Sequence, residues 1–182
     1  MGIIRNNVHR VNEVVENVLQ LSRRDRARPV TLELRRWLQP LLDDFRRSHR
    51  LREGQLALSI DPPDTAVLVD PSQMGQVVSI LLDNAAAHFE GDRAQLRISV
   101  EGGDTAAAGR HLDIRDNGPG IPAEALDRIF EPFYSTRHHG TGLGLYIARE
   151  LGETNQVRLE YFPNPGGGSC FRLSFPDPRV VG

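Results

Sequence analysis

Three short runs place chemically capable residues at telling spacings. In "VSILLDNAAAHF" an asparagine, Asn84, interrupts an apolar helical pattern. Its amide carbonyl is a hard oxygen ligand of the kind Mg2+ accepts alongside waters and phosphates, or else a polar residue at a helix surface. In "RDNGPGIP" one acid, Asp116, ends an alternating strand and meets two glycines and two prolines. That is either a turn or a carboxylate that accepts from an exocyclic amine such as adenine's, with Gly118 and Gly120 lacking Cβ atoms where a flat base nears the backbone. In "GTGLGL", Gly140, Gly142 and Gly144 open a helix, whose first amides and partial positive charge suit a phosphate. A dinucleotide-binding fingerprint would need a preceding strand, and "YSTRHH" is not one.

The elements that must position these runs alternate along the chain. Residues 3–22 read as a helix, with Ile4, Val8, Val11, Val15 and Val18 at the seam spacing of a bundle. "SRRDRARP" breaks that pattern as a linker. Beyond it come a strand at 30–34, a helix at 35–50 interrupted or kinked at Pro40, and strands "QLALSI" and "AVLVD". A helix at 72–89 follows, with Asp70 or Ser72 as its cap, then strands "AQLRISVE" and "HLDIRD" around a loose "GGDTAAAGR". The helix "GLGLYIARELGET" and strands "QVRLEYF" and "CFRLSF" close the pattern. The expected fold is an α/β (α+β) sandwich, six or seven mostly antiparallel strands covered by helices on one face. Residues 1–24 would be a bundle helix, 25–30 a linker and 31–182 the main domain.

Charge and composition narrow the function classes. Of 182 residues, 22 are basic, and all 22 are arginine. No lysine is present for a Schiff base or a Walker-type phosphate loop. Residues 1–52 hold 12 arginines against six acids, but these interleave with apolar positions, which fits a solvated helix face or a partner-docking surface better than a nucleic-acid reader. No apolar run approaches the roughly 20 residues of a membrane span, and the start lacks a signal-peptide core. One cysteine, Cys170, fits a reducing compartment and a small buried apolar role, so a cytoplasmic location is expected.

Taken in this order, the runs resemble the catalytic ATP-binding domain of sensor histidine kinases, within the wider group sharing the Bergerat nucleotide fold. "QVVSILLDNAAAHF" matches the N box, "DNGPGI" the first glycine box, "FEPFYST" the F box and "GTGLGL" the second glycine box. "NNVHRVNEVVENVLQLSRRD" looks like the second helix of the dimerisation and phosphotransfer hairpin, and the closing "LYIARELGETNQVRLEYFPNPGGGSCFRLSF" is particularly similar to a pilus-regulating member. The resemblance implies ATP and Mg2+ as cofactors, with Asn84 on the metal and Asp116 on the adenine amine. Gly118, Gly120 and Ile121 would line the base pocket, and residues 122–139 would form a mobile lid packed down by Phe130 and Phe133. Gly140, Thr141, Gly142, Leu143 and Gly144 would meet the phosphates, Arg137 would hold the terminal one, and His88 would approach them or sit half-buried. Implied partners are a histidine-bearing hairpin, a response regulator and a second copy paired through residues 3–22, in a membrane-anchored sensor whose cytoplasmic part this is.

Two positions depart from the family pattern. Ile80 stands where many relatives carry a first asparagine, and Ala87 where they often carry a lysine near phosphate. Each loss removes a polar contact of about 1 kcal/mol or more. Ile80 also replaces the general-base glutamate of ATP-hydrolysing relatives, which disfavours simple hydrolysis. None of His9, His49, His88, His111, His138 and His139 lies in an acceptor box of the "HExxxP" kind, so the chain reads as a piece of a longer protein that supplies the acceptor elsewhere. His138 and His139 lack further ligands at metal spacing. A degenerate nucleotide-binding and dimerisation module, and a serine kinase of the anti-sigma-factor type, are the alternatives; the leading helix speaks against the second.

Overall fold

The computed structural model describes residues 27–136 and 140–176. The expected bundle helix at 3–22, His9, Arg137, His138 and His139 lie outside these residues. Among the described residues seven strands and three α-helices follow one another as β1 (Val30–Glu33), α1 (Leu34–Ser48), β2 (Leu56–Asp61), β3 (Ala66–Val69), α2 (Pro71–Ala87), β4 (Ile98–Thr105), β5 (Gly109–Asp116), α3 (Gly144–Thr154), β6 (Arg158–Pro163) and β7 (Ser169–Ser174).

Five strands form the main sheet in the order β2-β4-β5-β7-β6, and β1 pairs with β3 as a separate two-stranded piece. Only β2–β4 is parallel within the main sheet; the other three pairings are antiparallel. Alternation along each strand decides the layers. Ile98 and Val100 of β4, Leu112 and Ile114 of β5, and Phe171 and Leu173 of β7 point inward and are buried. The helices cover that face, completing the two-layer sandwich expected from the sequence.

Helix α1 presents Leu34, Leu38, Leu42 and Phe45 to the core, one per turn. It runs unbroken through Pro40, so of the interruption or kink expected there the interruption does not occur. Pro40 and Arg36 are both exposed, so the carbonyl left without an amide partner faces water. Likewise "GGDTAAAGR" is not loose: β4 and β5 extend through it as far as Thr105 and Gly109. Ala94 and Gln95, read as the start of a strand, lie instead in a single 3-10 turn, Arg93–Gln95.

Two hydrogen-bonded joints set the helices that matter most. Asp70 Oδ1 accepts from the Ser72 and Gln73 amides at 2.9 and 3.1 Å, capping α2, with Pro71 in the first turn. The Asp70 amide donates to Asn155 Oδ1 at 2.7 Å, and Asn155 Nδ2 donates to Gln73 Oε1 at 2.8 Å. Asn155 is the C-cap of α3, so the start of α2 and the end of α3 are fastened together.

The outer sheet face is polar and holds one deeply buried charge. Asp113 is 1% exposed, held by Arg172 through Nε and Nη2 at 2.6 and 2.7 Å and by Arg115 Nη2 at 2.8 Å. Burial opposes its charge, but the two guanidinium groups outweigh burial and hold the carboxyl below its ordinary 3.8. That contribution to stability is fully present above pH 3.8 and is lost as pH falls through the depressed folded value. Asp113→Asn is expected to destabilise the fold by about 2 kcal/mol, less than for a fully buried pair because both arginines keep some water contact. Urea titration checks the size, and repeating it from neutral pH downward should show the variant's deficit shrinking below pH 3.8.

Candidate functional site

A cavity of about 400 Å3 opens between the C-terminal half of α2, the end of β5, β7 and the segments on either side of residues 137–139. This volume falls in the range of small-ligand sites. Asn84 of α2 and His88 at its C-cap, Asp116 with Gly120 and Ile121, and Gly140 to Gly142 with Gly144 all line it. Three runs far apart in sequence therefore share one wall-bounded space.

Asp116 is the best-defined element. It is 9% exposed, and its Oδ1 accepts from the Gly118 amide at 2.7 Å and the Ser169 amide at 3.2 Å. Burial raises its carboxyl above 3.8, while those amides, the Ser169 hydroxyl and nearby His88 pull the other way without cancelling it. A buried carboxylate in a cavity wall is poised to meet a donor from a ligand. Gly118 itself does not line the cavity. A Cβ there would lie 2.9 Å from Asp116 Oδ1, so the first glycine makes room for the carboxylate's own turn.

The second glycine run approaches backbone closely. Gly142 has φ +69, and a Cβ would fall 2.5 Å from the Phe133 carbonyl carbon. Helix α3 begins only at Gly144, two residues later than the sequence suggests, with Leu143 as N-cap. Leu143 is buried and does not line the cavity, and its amide reaches Thr141 Oγ1 only at 3.4 Å. No side chain caps α3 and no acid sits in its first turn, which leaves its positive end toward the cavity undiminished.

The aromatic pair of the intervening segment divides. Phe130 packs against the core, with the Arg149 guanidinium 5.8 Å from its ring. Phe133 does not pack down as expected: it is 70% exposed at φ +65, its backbone taken up by the approach of Gly142. Tyr134 takes its place in the cavity wall. His88 is exposed at the C-cap of α2 rather than half-buried, close enough to favour Asp116's charge. Ile80 and Ala87 do line the cavity, so the two departures from the family pattern fall within the site.

Sequence reasoning missed Asp83, Ser169 and Phe171 in the wall. Asp83 Oδ1 meets His49 Nε2 at 3.2 Å across from α1. The signal for Ser169 was the run "PGGGSC" just ahead of a strand. Gly168 has φ +98, and a Cβ would overlap the Asp116 carbonyl oxygen, so only glycine lets Ser169 reach Asp116.

A mixed sheet covered on one face, with a cavity bounded by a helix-borne asparagine, a buried aspartate and a glycine loop, defines an ATPase-type nucleotide domain. The chain belongs to the family of histidine kinase-, DNA gyrase B-, and HSP90-like ATPases, whose model matches residues 69–179. It is 44% identical to the sensor protein kinase PilS of Pseudomonas aeruginosa over 98% of this chain and 34% of that protein. Among solved structures it is similar to the catalytic domain of histidine kinase ThkA, with TM-score 0.67, 24% identity and coverage of 81% of this chain and 95% of that one. A second ThkA structure, in complex with response regulator protein TrrA, gives TM-score 0.75 at 22% identity over 98% and 51% of the two chains. The chain spans about a third of the length of the curated relatives it matches. Among the described residues no helix is long and apolar enough to cross a membrane.

Because Asp116 ionises against its burial, its charge costs stability as pH rises from 3.8 through the raised folded value. Asp116→Asn, whose Oδ1 can keep both amide donors, is expected to melt higher than the native chain at neutral pH and no higher below pH 3.8. Thermal scans at the two pH values check this.

Proposed function

We propose that the cavity binds ATP with Mg2+ and presents the terminal phosphate to a histidine on a separate hairpin, as the catalytic part of a sensor histidine kinase. The observation that carries the reading is Asp116 in the wall of the cavity that also holds Asn84 and the Gly140–Gly144 run. Asp116 accepts from the adenine amine, and Gly120 and Ile121 border the base. The uncapped start of α3 at Gly144 and the backbone from Gly140 to Gly142 face the phosphates, with Thr141 adding a hydroxyl. The lining fits Mg2+ in that Asn84 on the cavity wall offers a neutral oxygen, which would hold the metal together with phosphates and water. The metal neutralises phosphate charge; the chain's own residues position and orient.

The same reading assigns residues 1–24 to the second hairpin helix, 25–30 to the linker and 31–182 to the catalytic domain, with Arg137 on the terminal phosphate. Partners are the histidine-bearing hairpin, a second copy paired through residues 3–22 and a response regulator; the solved pairing of ThkA with TrrA supports the last. The catalytic part works on the cytoplasmic side, in a protein anchored to the membrane by segments beyond these residues.

Calorimetric titration with a non-hydrolysable ATP analogue tests the site. Binding should tighten with Mg2+, and Asn84→Ala should lose most of that Mg2+ dependence, weakening binding about tenfold in its presence. Phosphate from ATP should then appear on histidine, not serine, of an added hairpin. No binding by the folded native chain would favour the degenerate module that Ile80 and Ala87 suggest.

A further inference from the structure

Asp116 and the root of the segment that follows it are held from behind by the turn joining β6 to β7. Asn164 Nδ2 donates to the Asp116 carbonyl oxygen at 2.8 Å, tying off the last residue of β5. The turn closes on itself, with the Asn164 amide donating to the Gly168 carbonyl at 3.1 Å and the Gly167 amide to the Asn164 carbonyl at 3.0 Å. On the other side, the Ile121 amide donates to the Tyr161 hydroxyl at 3.1 Å. The Tyr161 ring is fixed edge-on against Phe171, with centroids 5.5 Å apart, so the hydroxyl is a firm anchor. Gly120 lies between them, at φ +77, where a Cβ would come within 3.2 Å of the Gly168 carbonyl. Neither Tyr161 nor Asn164 is among the residues lining the cavity.

From this convergence we infer that Tyr161 and Asn164 are positioning residues for base selectivity. The β6–β7 hairpin sets where the Asp116 carboxylate and the Gly120–Ile121 peptide stand relative to the base edge. The inference rests on the proposed adenine site and names what makes it selective. A hydrogen bond from a base amine weakens when its acceptor shifts by about half an ångström, whereas contacts to phosphates at the α3 end do not feel that shift. Loss of either anchor therefore acts on the base and not on the triphosphate.

The test uses the whole chain with Tyr161→Phe and Asn164→Ala. Tyr161→Phe keeps the ring on Phe171 and removes only the acceptor of the Ile121 amide. Calorimetry with non-hydrolysable ATP and its inosine counterpart, which lacks the exocyclic amine, gives a selectivity ratio for each protein. Both variants are expected to bind the adenosine form about fivefold more weakly, with the inosine form little changed, so the ratio falls. Melting curves confirm that each variant is folded at the titration temperature. Variants that weaken both nucleotides equally, or keep the native ratio, overturn the inference and leave Asp116's role standing. A native chain that binds nucleotide with no preference for adenosine overturns the adenine reading and this inference with it.

Discussion

The buried carboxylate of Asp116 is the constraint around which the rest of the domain is arranged. A nearly enclosed charge is unfavourable unless donors surround it, and here the donors come from both sides of one strand end. Gly118 supplies an amide from the loop that follows β5, and Ser169 supplies another from the start of β7. For Ser169 to be there, β7 must pair antiparallel with β5, and Gly168 must carry no Cβ. The order of the central strands and the glycine run before β7 are both consequences of seating this one group.

The opposite wall depends on a different joint. Asn84 sits almost four turns along α2 from Asp70, so its place in the cavity is set by how α2 begins. Asp70 caps that beginning and also holds the Arg28 amide at 2.9 Å, where the chain enters the domain. Asn155 ties the same point to the end of α3, whose start faces the cavity. Two helices pinned at their far ends converge with defined spacing at the near ends. The same Asp70 touches the incoming chain, so the entry into the domain and the placement of both site helices share one residue, its carboxylate holding the Arg28 amide and capping α2 and its amide donating to Asn155.

Much of this was legible because local rules and tertiary placement agree. The spacing of Leu34, Leu38 and Leu42 marks a buried stripe, and Asp70-Pro71 marks a helix start, so both helices read correctly from sequence. Asn84, Asp116 and the Gly140–Gly144 run were recognisable as chemistry in order along the chain, and the fold brings them to one cavity. What was not legible involves contacts between distant segments. Ser169 becomes a site residue only through β5–β7 register, and Asp83 pairs with His49 only because α1 crosses α2. Pro40 shows the reverse case, where the helix continues past a proline at an exposed stretch and the Arg36 carbonyl it leaves without an amide partner lies at the surface. Phe133 is exposed at a positive φ, and its backbone lies against Gly142, a tertiary contact no periodicity could reveal.

The apolar substitutions inside the site shift how a phosphate-bearing ligand must be held. Ile80 and Ala87 leave Asp83, Asn84 and His88 as the polar groups of the wall along α2 and its C-cap, and Asp83 already meets His49. Side-chain charge is therefore scarce along this wall, and the burden passes to fixed dipoles. The start of α3 has neither a capping side chain nor an acid in its first turn, so its amides stay available and its field stays unscreened. Those dipoles are held by the packing of Ile147 and Ala148 in the core and need no reordering when a ligand arrives. A site built this way gains less from any single charged side chain and more from the rigidity of α3, which explains why the α2–α3 joint at Asp70 and Asn155 is so fully hydrogen-bonded.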